Sequence, residues 1–583
     1  MLSVALRLAG AVLVYLIFEK LYARAGWANT LMAALFAVYP GFQQVPNGNS
    51  YHVHLIAFTA GLLSLYLTLL CLDAQRPLAR RLLQAASIFS GLLSYGMFEW
   101  MVGLELVRLI LTAWHGSPRP RLNLALFKRL LLACWPNLLG LSAFLVWRVF
   151  FFESTRSATD VGQVLRGFLA APGQSALTLG MELFKDFLNS TFLAWGVPFY
   201  QLVSGAAYAD LLLALALAGL AVGVASFLLS AQPNAEPQTE KDWAATAVRV
   251  GLLCTLACLL PTVAAGRHII FRDGLERYTL LASFGVVQFL TGGLFLLMES
   301  GKWRKAVLLA LLASAVIVQD LNGAAFGRFW ESQRQLWWQL SWRIPDLQDG
   351  AALIIKTPDH APLAEDYEVW GPANLIYRPD SGRVLIAGET FSKETLQKLT
   401  FGSRFGRTLR NIAYAGNFRN AVVVSYPNHS CVHVMDPALP LYSLNDDLQA
   451  WLAADYSNPS MILGGAADRT PPPEIFGPEP ARGWCYTYQK VSLAVQFAEW
   501  QQAALLADQA RQQGLQPVDP AEWMPLYVAY AKTGNMDAVN ELASILRSEP
   551  GLVENYCAAM QRQSASTAEF YAYNLCPELI WDK

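Results

Sequence analysis

Apolar runs dominate the first 323 or so residues, and most are long enough to cross a roughly 30 Å hydrocarbon layer as a helix. That pattern leaves one fold class open to this part of the chain, because in lipid every backbone polar group must be satisfied inside its own segment. Roughly ten spans are expected, near 3 to 19, 27 to 42, 54 to 72, 82 to 97, 100 to 114, 130 to 151, 208 to 230, 247 to 263, 279 to 298 and 306 to 322. The whole chain of 583 residues is 54% hydrophobic and 15% charged, too apolar for a soluble protein of this size. After residue 323 charges and prolines return to ordinary density. The expected fold is therefore an α-helical polytopic membrane bundle over 1–323, followed by an exported soluble half. A net charge of −1 gives nucleic-acid binding no support.

The connections between apolar runs alternate in charge. Lys20 and Arg24, Arg76, Arg80 and Arg81, Arg119 to Arg129, Lys241, and Lys302 to Lys305 form one set. The positive-inside rule places these in the cytoplasm and puts 40–53, the turn at Phe98 and Glu99, 152–207 and 264–278 on the other face, together with everything after 323. This is the topology expected of a multi-pass protein in the cytoplasmic membrane of a prokaryote. It also puts Met1 outside, with an even number of spans, so a preceding span is expected to be absent from this chain. The first run lacks a basic leader and carries Arg7, which argues against a removable signal peptide.

The densest ionisable cluster of the apolar part is Arg267-His268-Ile269-Ile270-Phe271-Arg272-Asp273-Gly274-Leu275-Glu276-Arg277-Tyr278. Guanidinium forks bind phosphate bidentately, so this loop is expected to take an anionic lipid headgroup. The plainer reading is that Arg and Tyr anchor helix ends at the lipid interface. Intramembrane charges tend to face a partner or a cavity. Glu105 and Arg108, three residues apart, are expected to pair with each other. Glu99 has no such neighbour in sequence and is expected to stand as a pocket carboxylate. Tyr51, His52 and His54 lie at the outer end of another span, and each His is more readily a satisfied polar group than a ligand or base. Segment 152–207 carries apolar residues at helical spacing and is read as interfacial amphipathic helices.

In the soluble half, 324–343 mixes four Trp with polar residues and is expected to lie at the interface, with Trp at headgroup depth. A small α/β module is expected over 344–483, with strands at Ala351 to Lys356, Arg383 to Ala387, Ala421 to Tyr426 and Cys431 to Met435, and a helix at Lys393 to Leu399. Residues 484–583 change to a helical period, with two similar stretches at Ala498-Glu499-Trp500 and Gly534-Asn535-Met536. These resemble tetratricopeptide-type hairpins, and an ordinary helical cap fits nearly as well. Cys71, Cys134, Cys254 and Cys258 lie in apolar runs and read as core residues. Cys431 with Cys485 and Cys557 with Cys576 are candidate disulfides in an oxidising compartment. No CxxC or His/Cys metal spacing is present. No cofactor is called for, and a divalent cation remains compatible with the loop.

The membrane pattern, with Leu6 to Phe18, Ala33-Ala34-Leu35-Phe36-Ala37-Val38-Tyr39-Pro40, the turn Phe98-Glu99-Trp100, and Leu275-Glu276-Arg277-Tyr278 leading into a span, resembles the GT-C glycosyltransferases. The resemblance implies sugar transfer from a polyprenyl-phosphate donor on the extracytoplasmic face. Arg267, Arg272 and Arg277 would hold the phosphate, with His268, Glu276, Tyr278 and His54 beside it and Glu99 or Asp273 as the carboxylate. The family's acidic first outer loop would precede Met1. The alternative expectation is a non-catalytic membrane subunit that binds a protein partner through 484–583.

Overall fold

The computed structural model describes all residues except 24, 117–119, 121–122, 153–160, 231–236, 273, 359–362, 410, 439–442, 444, 447, 466–468, 562–574 and 577–583. The chain forms two units, Met1–Phe326 and Gly327–Lys583.

The first unit is helical: α1 (Leu2–Leu21), α2 (Trp27–Ala37), α3 (Gly48–Asp73), α4 (Pro77–Met97), α5 (Gly103–Trp114), α6 (Leu124–Phe150), α7 (Val161–Ala170), α8 (Pro172–Leu188), α9 (Ala194–Val203), α10 (Tyr208–Ser230), α11 (Pro237–Ala264), α12 (Thr279–Leu297) and the start of α13 (Gly301–Arg343). Among the described residues seven helices are long and apolar enough to cross a membrane: Leu2–Leu21, Gly48–Asp73, Leu124–Phe150, Tyr208–Ser230, Lys241–Ala264, Leu275–Leu297 and Gly301–Arg343. This fits a multi-pass membrane protein. α2, with 11 residues, rises only about 17 Å. Its last carbonyls are met in part by the buried Arg7, whose guanidinium donates to Phe36 O and to Ala37 O at 3.2 Å. The charge that interrupts α1 is thus a cap for its neighbour.

Two polar devices hold the helices together. Arg108 and Glu105 are both buried and make a two-pronged ion pair, with Nε and Nη2 at 2.8 and 2.9 Å from the two carboxylate oxygens. The expected mutual pairing is therefore present. Arg108 also donates to Ser64 O, Ser64 Oγ, Thr68 Oγ1 and Ser87 Oγ, tying α5 to α3 and α4. The second device is small residues. A Cβ on Gly251 or Gly285 would fall under 3.0 Å from backbone atoms of the facing helix, so α11 and α12 approach backbone to backbone. In lipid, close van der Waals approach replaces the hydrophobic drive that packs helices in water.

The ends of the bundle differ in character. At one end Lys20 and His115 both reach Asp73 at 2.8 Å, and Arg129 donates to His115 O at 2.7 Å. α3 runs from that end for 26 residues, about 39 Å, to the end where the loop 265–278 lies. The segment 152–207 supplies α7, α8 and α9, as its apolar spacing requires, with Asp186 and Phe187 of α8 buried.

The strands of the second unit are β1 (Asp346–Leu347), β2 (Ala352–Lys356), β3 (Ala387–Thr390), β4 (Arg404–Leu409), β5 (Ile412–Asn417), β6 (Ala421–Ser425), β7 (His433–Val434) and β8 (Ile462–Leu463), and four of them form one sheet in the order β3-β2-β6-β7. β2 (Ala352–Lys356) is parallel to β3 (Ala387–Thr390) and to β6 (Ala421–Ser425), and β7 (His433–Val434) runs antiparallel on the edge. β2 is buried on both faces, hence its unbroken run Ala-Leu-Ile-Ile. The strand expected at Arg383 to Ala387 begins only at Ala387. Ahead of it the amides of Leu385 and Ile386 donate to the Asn374 side chain instead of a ladder. Helices Tyr367–Tyr377 and Lys393–Phe401 flank the sheet, and an exposed hairpin pairs Arg404–Leu409 with Ile412–Asn417. From Trp484 the chain is helical: Trp484–Gln496, Trp500–Gln512, Met524–Thr533, Met536–Arg547 and Pro550–Gln561, around one apolar core. Both candidate disulfides, Cys431–Cys485 and Cys557–Cys576, are formed.

The expectation for 324–343 is corrected. These residues are not a separate interfacial helix but the last part of α13. Trp337, Trp338 and Trp342 are buried in the second unit, where Trp338 Nε1 donates to Gly477 O and Trp342 Nε1 to Glu479. An amphipathic Trp stripe serves a protein core as well as a headgroup layer, since both offer apolar cover beside a hydrogen-bond acceptor. Trp330 alone of this group stays largely exposed.

Candidate functional site

The charged loop begins where α11 stops. Gly266, with φ 68°, takes the left-handed conformation that ends a helix, and Arg267 N returns to Thr262 O at 3.0 Å. Residues 267–270 are irregular, and Arg272 (φ 64°) and Gly274 (φ 72°) make the reversal into a 3-10 turn, Leu275–Tyr278, that leads into α12. Ile269, Glu276 and Tyr278 point into the protein, while Arg267, Ile270 and Arg272 face outward. The loop is pinned at alternate points, and two guanidinium groups are left on its exposed side. Neither Arg267 nor Arg272 makes a side-chain hydrogen bond or ion pair with a described residue.

One flank of the loop carries carboxylates. Asp186 of α8 is 1% exposed, and its Oδ1 accepts from Ile269 N and from Asn189 Nδ2, each at 3.2 Å. Its Oδ2 makes no hydrogen bond and lies 3.9 Å from His268 Nδ1, which is 3.4 Å from Glu182 Oε2. Burial pushes the Asp186 carboxyl above the ordinary carboxylate range, opposed by the two N–H donors and His268. Glu182 and Asp186 are four residues apart on one helix, so both reach the same imidazole.

The other flank is aromatic. Arg277 donates to Tyr51 Oη and Tyr278 Oη, each at 3.3 Å, with its guanidinium carbon 5.1 Å from the centre of the Tyr278 ring. Trp100 meets Tyr278 edge-on at 5.5 Å. His54 stacks between Tyr51 at 5.0 Å and Phe98 at 3.8 Å. Its ring is thus a member of an aromatic stack that backs Arg277. Glu276 is fully buried and accepts from Gln44 Nε2, so its carboxylate faces inward and holds the 3-10 turn against the 40–47 loop.

The structure brings His268, Arg277, Tyr278 and His54 to one end of the unit with Tyr51, Trp100, Glu182 and Asp186. Glu99, expected to stand without a partner, instead accepts from Arg148 Nε, whose guanidinium also lies over Phe152 at 4.3 Å. The pairing spans 49 residues, so local spacing could not reveal it. Asp273 lies outside the described residues. Asp186 and Glu182 were left without a role by sequence reasoning. Their signal is a pair of acids on one face of an amphipathic helix otherwise rich in Leu and Phe. Among the described residues no metal-holding cluster occurs at this loop.

Comparison with known proteins returns no match: no protein-family model, no curated protein and no solved structure is similar to this chain.

Proposed function

We propose that the chain is a membrane glycosyltransferase of GT-C type that takes a polyprenyl-phosphate sugar at the Arg267–Tyr278 loop on the extracytoplasmic face. The observation that carries this reading is the pair of exposed guanidinium groups, Arg267 and Arg272, left without partners among the described residues beside the aromatic-backed Arg277. Three such groups on a loop between two apolar helices offer a phosphate several charge-assisted donors at the depth of a headgroup. In the reaction the sugar carbon breaks its bond to the phosphate oxygen and bonds to the acceptor hydroxyl oxygen. The arginines stabilise the departing phosphate, and a carboxylate accepts the hydroxyl proton. With Glu99 engaged by Arg148, the carboxylates that best fit that role are Asp186 and Glu182 beside His268, together with Asp273.

The same reading places about ten spans in the cytoplasmic membrane of a prokaryote if α2, α4 and α5 are counted with the longer helices. It puts the second unit outside, where its two disulfides are chemically at home. A second reading, a non-catalytic subunit that binds a protein through 484–583, is favoured by the commitment of Glu99 and Glu276 to structural contacts.

The test is binding of undecaprenyl phosphate to the full-length protein in detergent, with phosphatidylcholine and phosphatidylglycerol as controls. Arg267→Ala with Arg272→Ala is expected to weaken polyprenyl-phosphate binding by about tenfold or more, roughly two lost charge-assisted contacts. Unchanged binding in the double variant refutes the phosphate role. Equal loss for phosphatidylglycerol reduces the site to a general anionic-lipid site, and retained lipid binding without sugar transfer favours the second reading.

A further inference from the structure

A second polar cluster lies in the other unit, far in sequence from the loop and buried. His433, on the edge strand β7, is 1% exposed, and neither of its ring nitrogens makes a hydrogen bond. Around it stand Asp519 and Glu522, 2% and 1% exposed, from the 3-10 turn Pro520–Trp523 and the residue that caps it. His433, Asp519 and Glu522 each offer a ligand atom within 4.8 Å of the others. Asp446 is also buried, and its Oδ2 makes no hydrogen bond. A buried imidazole with two idle nitrogens is costly in a core. Three carboxylates without enough opposing charge are costlier still.

We infer that His433, Asp519 and Glu522 form a binding site for one divalent transition-metal ion, Zn2+ being the best match to an imidazole and two carboxylates. His433 Nε2 is 3.6 Å from Glu522 Oε1. That is near the roughly 3.3 Å edge of a tetrahedron with ~2 Å metal–ligand bonds. The carboxylates are already oriented as ligands are. Glu522 Oε1 accepts from Cys431 N at 2.6 Å and Oε2 from Trp484 Nε1 at 2.5 Å. Asp519 Oδ1 accepts from Ala521 N, and Oδ2 from the hydroxyls of Ser430 and Ser443. Asp519 Oδ1 and the two Glu522 oxygens each keep a lone pair beyond these bonds, and such outer donors are what fix metal-bound carboxylates in place. Asp446, held by Ser425 Oγ, acts on the same imidazole by its charge and adds to the negative charge that the ion would offset.

The groups that face His433 from neighbouring elements are Glu522, Asp519, Asp446 and the Tyr488 ring at 5.4 Å, with Lys356 acting on Asp446. A proton on His433 is the competing cation. It supplies one positive charge against three carboxylates, where a divalent ion with a neutral imidazole supplies two. The ion would clamp the β7 edge to the turn at 519–523, beside the Cys431–Cys485 disulfide. No local motif announces it, because its ligands come from strand and turn residues widely separated in sequence.

The test uses the full-length protein in mild detergent, produced in medium supplemented with zinc and purified without chelator. Elemental analysis is expected to find about one Zn2+ per chain, and His433→Gln to carry less than about a fifth of that. Because that variant could fail to fold, a second arm uses the wild type. EDTA should lower its thermal midpoint by several degrees, and added Zn2+, but not Mg2+, should restore it. Less than about a tenth of an equivalent of any transition metal in the wild type, with no response of the midpoint to EDTA or Zn2+, overturns the site. So does a folded His433→Gln protein that keeps its metal. Neither result bears on polyprenyl-phosphate binding, so the two proposals fail separately.

Discussion

The Glu105–Arg108 pair allows a prediction whose size follows from its contacts. Both side chains are buried, and Arg108 reaches both carboxylate oxygens of Glu105. Glu105→Gln leaves a guanidinium with only neutral acceptors on Ser64, Thr68 and Ser87, and Arg108→Met leaves a buried carboxylate beside a thioether. Removing one member of such a pair costs about 3–5 kcal/mol, because the remaining charge is uncompensated. The double variant removes both charges. The hydroxyls around it keep bonds of their own: Ser64 Oγ to Ser87 O, Ser87 Oγ to Ser64 O, and Thr68 Oγ1 to Ser64 O. Its expected cost is therefore only about 1–2 kcal/mol, since a well-packed neutral replacement is near break-even. At about 2 °C per kcal/mol for a large domain, each single change should lower Tm in detergent by roughly 6–10 °C and the double by roughly 2–4 °C. Thermal unfolding of the four proteins gives the cycle. Losses in the double that equal the sum of the singles within about 0.5 kcal/mol would refute the pairing argument.

Other outcomes follow from single contacts. Gly285→Ala should cost about 2–3 kcal/mol by forcing α11 and α12 apart, while Gly293→Ala, whose Cβ meets nothing within 4 Å, should be nearly neutral; thermal unfolding of both checks this. Cys431→Ser should destabilise the second unit by about 4 kcal/mol from the loop entropy of a 54-residue closure, read as a lowered urea midpoint, and reductant on the wild type, which also opens Cys557–Cys576, should lower it at least as far. Asp186 carries a pKa raised by burial, so the stability its protonated form contributes is full below the ordinary carboxylate range and is lost as pH rises through the raised value. Asp186→Asn should accordingly flatten the fall of Tm with rising pH across that window, and an unchanged slope would show that Asp186 does not titrate there.

What could be read from the chain alone depended on how local the cause was. Glu105 and Arg108 pair across three residues, and helical spacing exposes that directly. The two disulfides were legible because the membrane half and the soluble half divide the cysteines before any pairing is considered. The helices after Trp484 follow from their period. Glu99 and Arg148 meet across 49 residues, and no spacing rule reaches that far. Glu276 looks like its exposed neighbours in sequence, yet the 3-10 turn rotates it inward to Gln44. The Trp residues of 337–342 have the composition of an interfacial anchor, and only their acceptors, Gly477 and Glu479, reveal a protein core. The hairpin Arg404–Leu409 with Ile412–Asn417 escaped notice because most of its residues are exposed and its packed face, which carries Phe405 and Tyr414, is interrupted by Arg407 and Gly416.

The glycine contacts between α11 and α12 bear on how the arginine loop meets a ligand. The loop joins the ends of two helices whose backbones touch, and its own amide at Ile269 and carboxylate at Glu276 are tied to α8 and to the 40–47 loop. Its freedom is lost when the helices lock, before any ligand arrives, so binding need not order the backbone that presents Arg267 and Arg272. Under the proposed phosphate role, widening the helix seam should then weaken capture through entropy alone, with every arginine still in place.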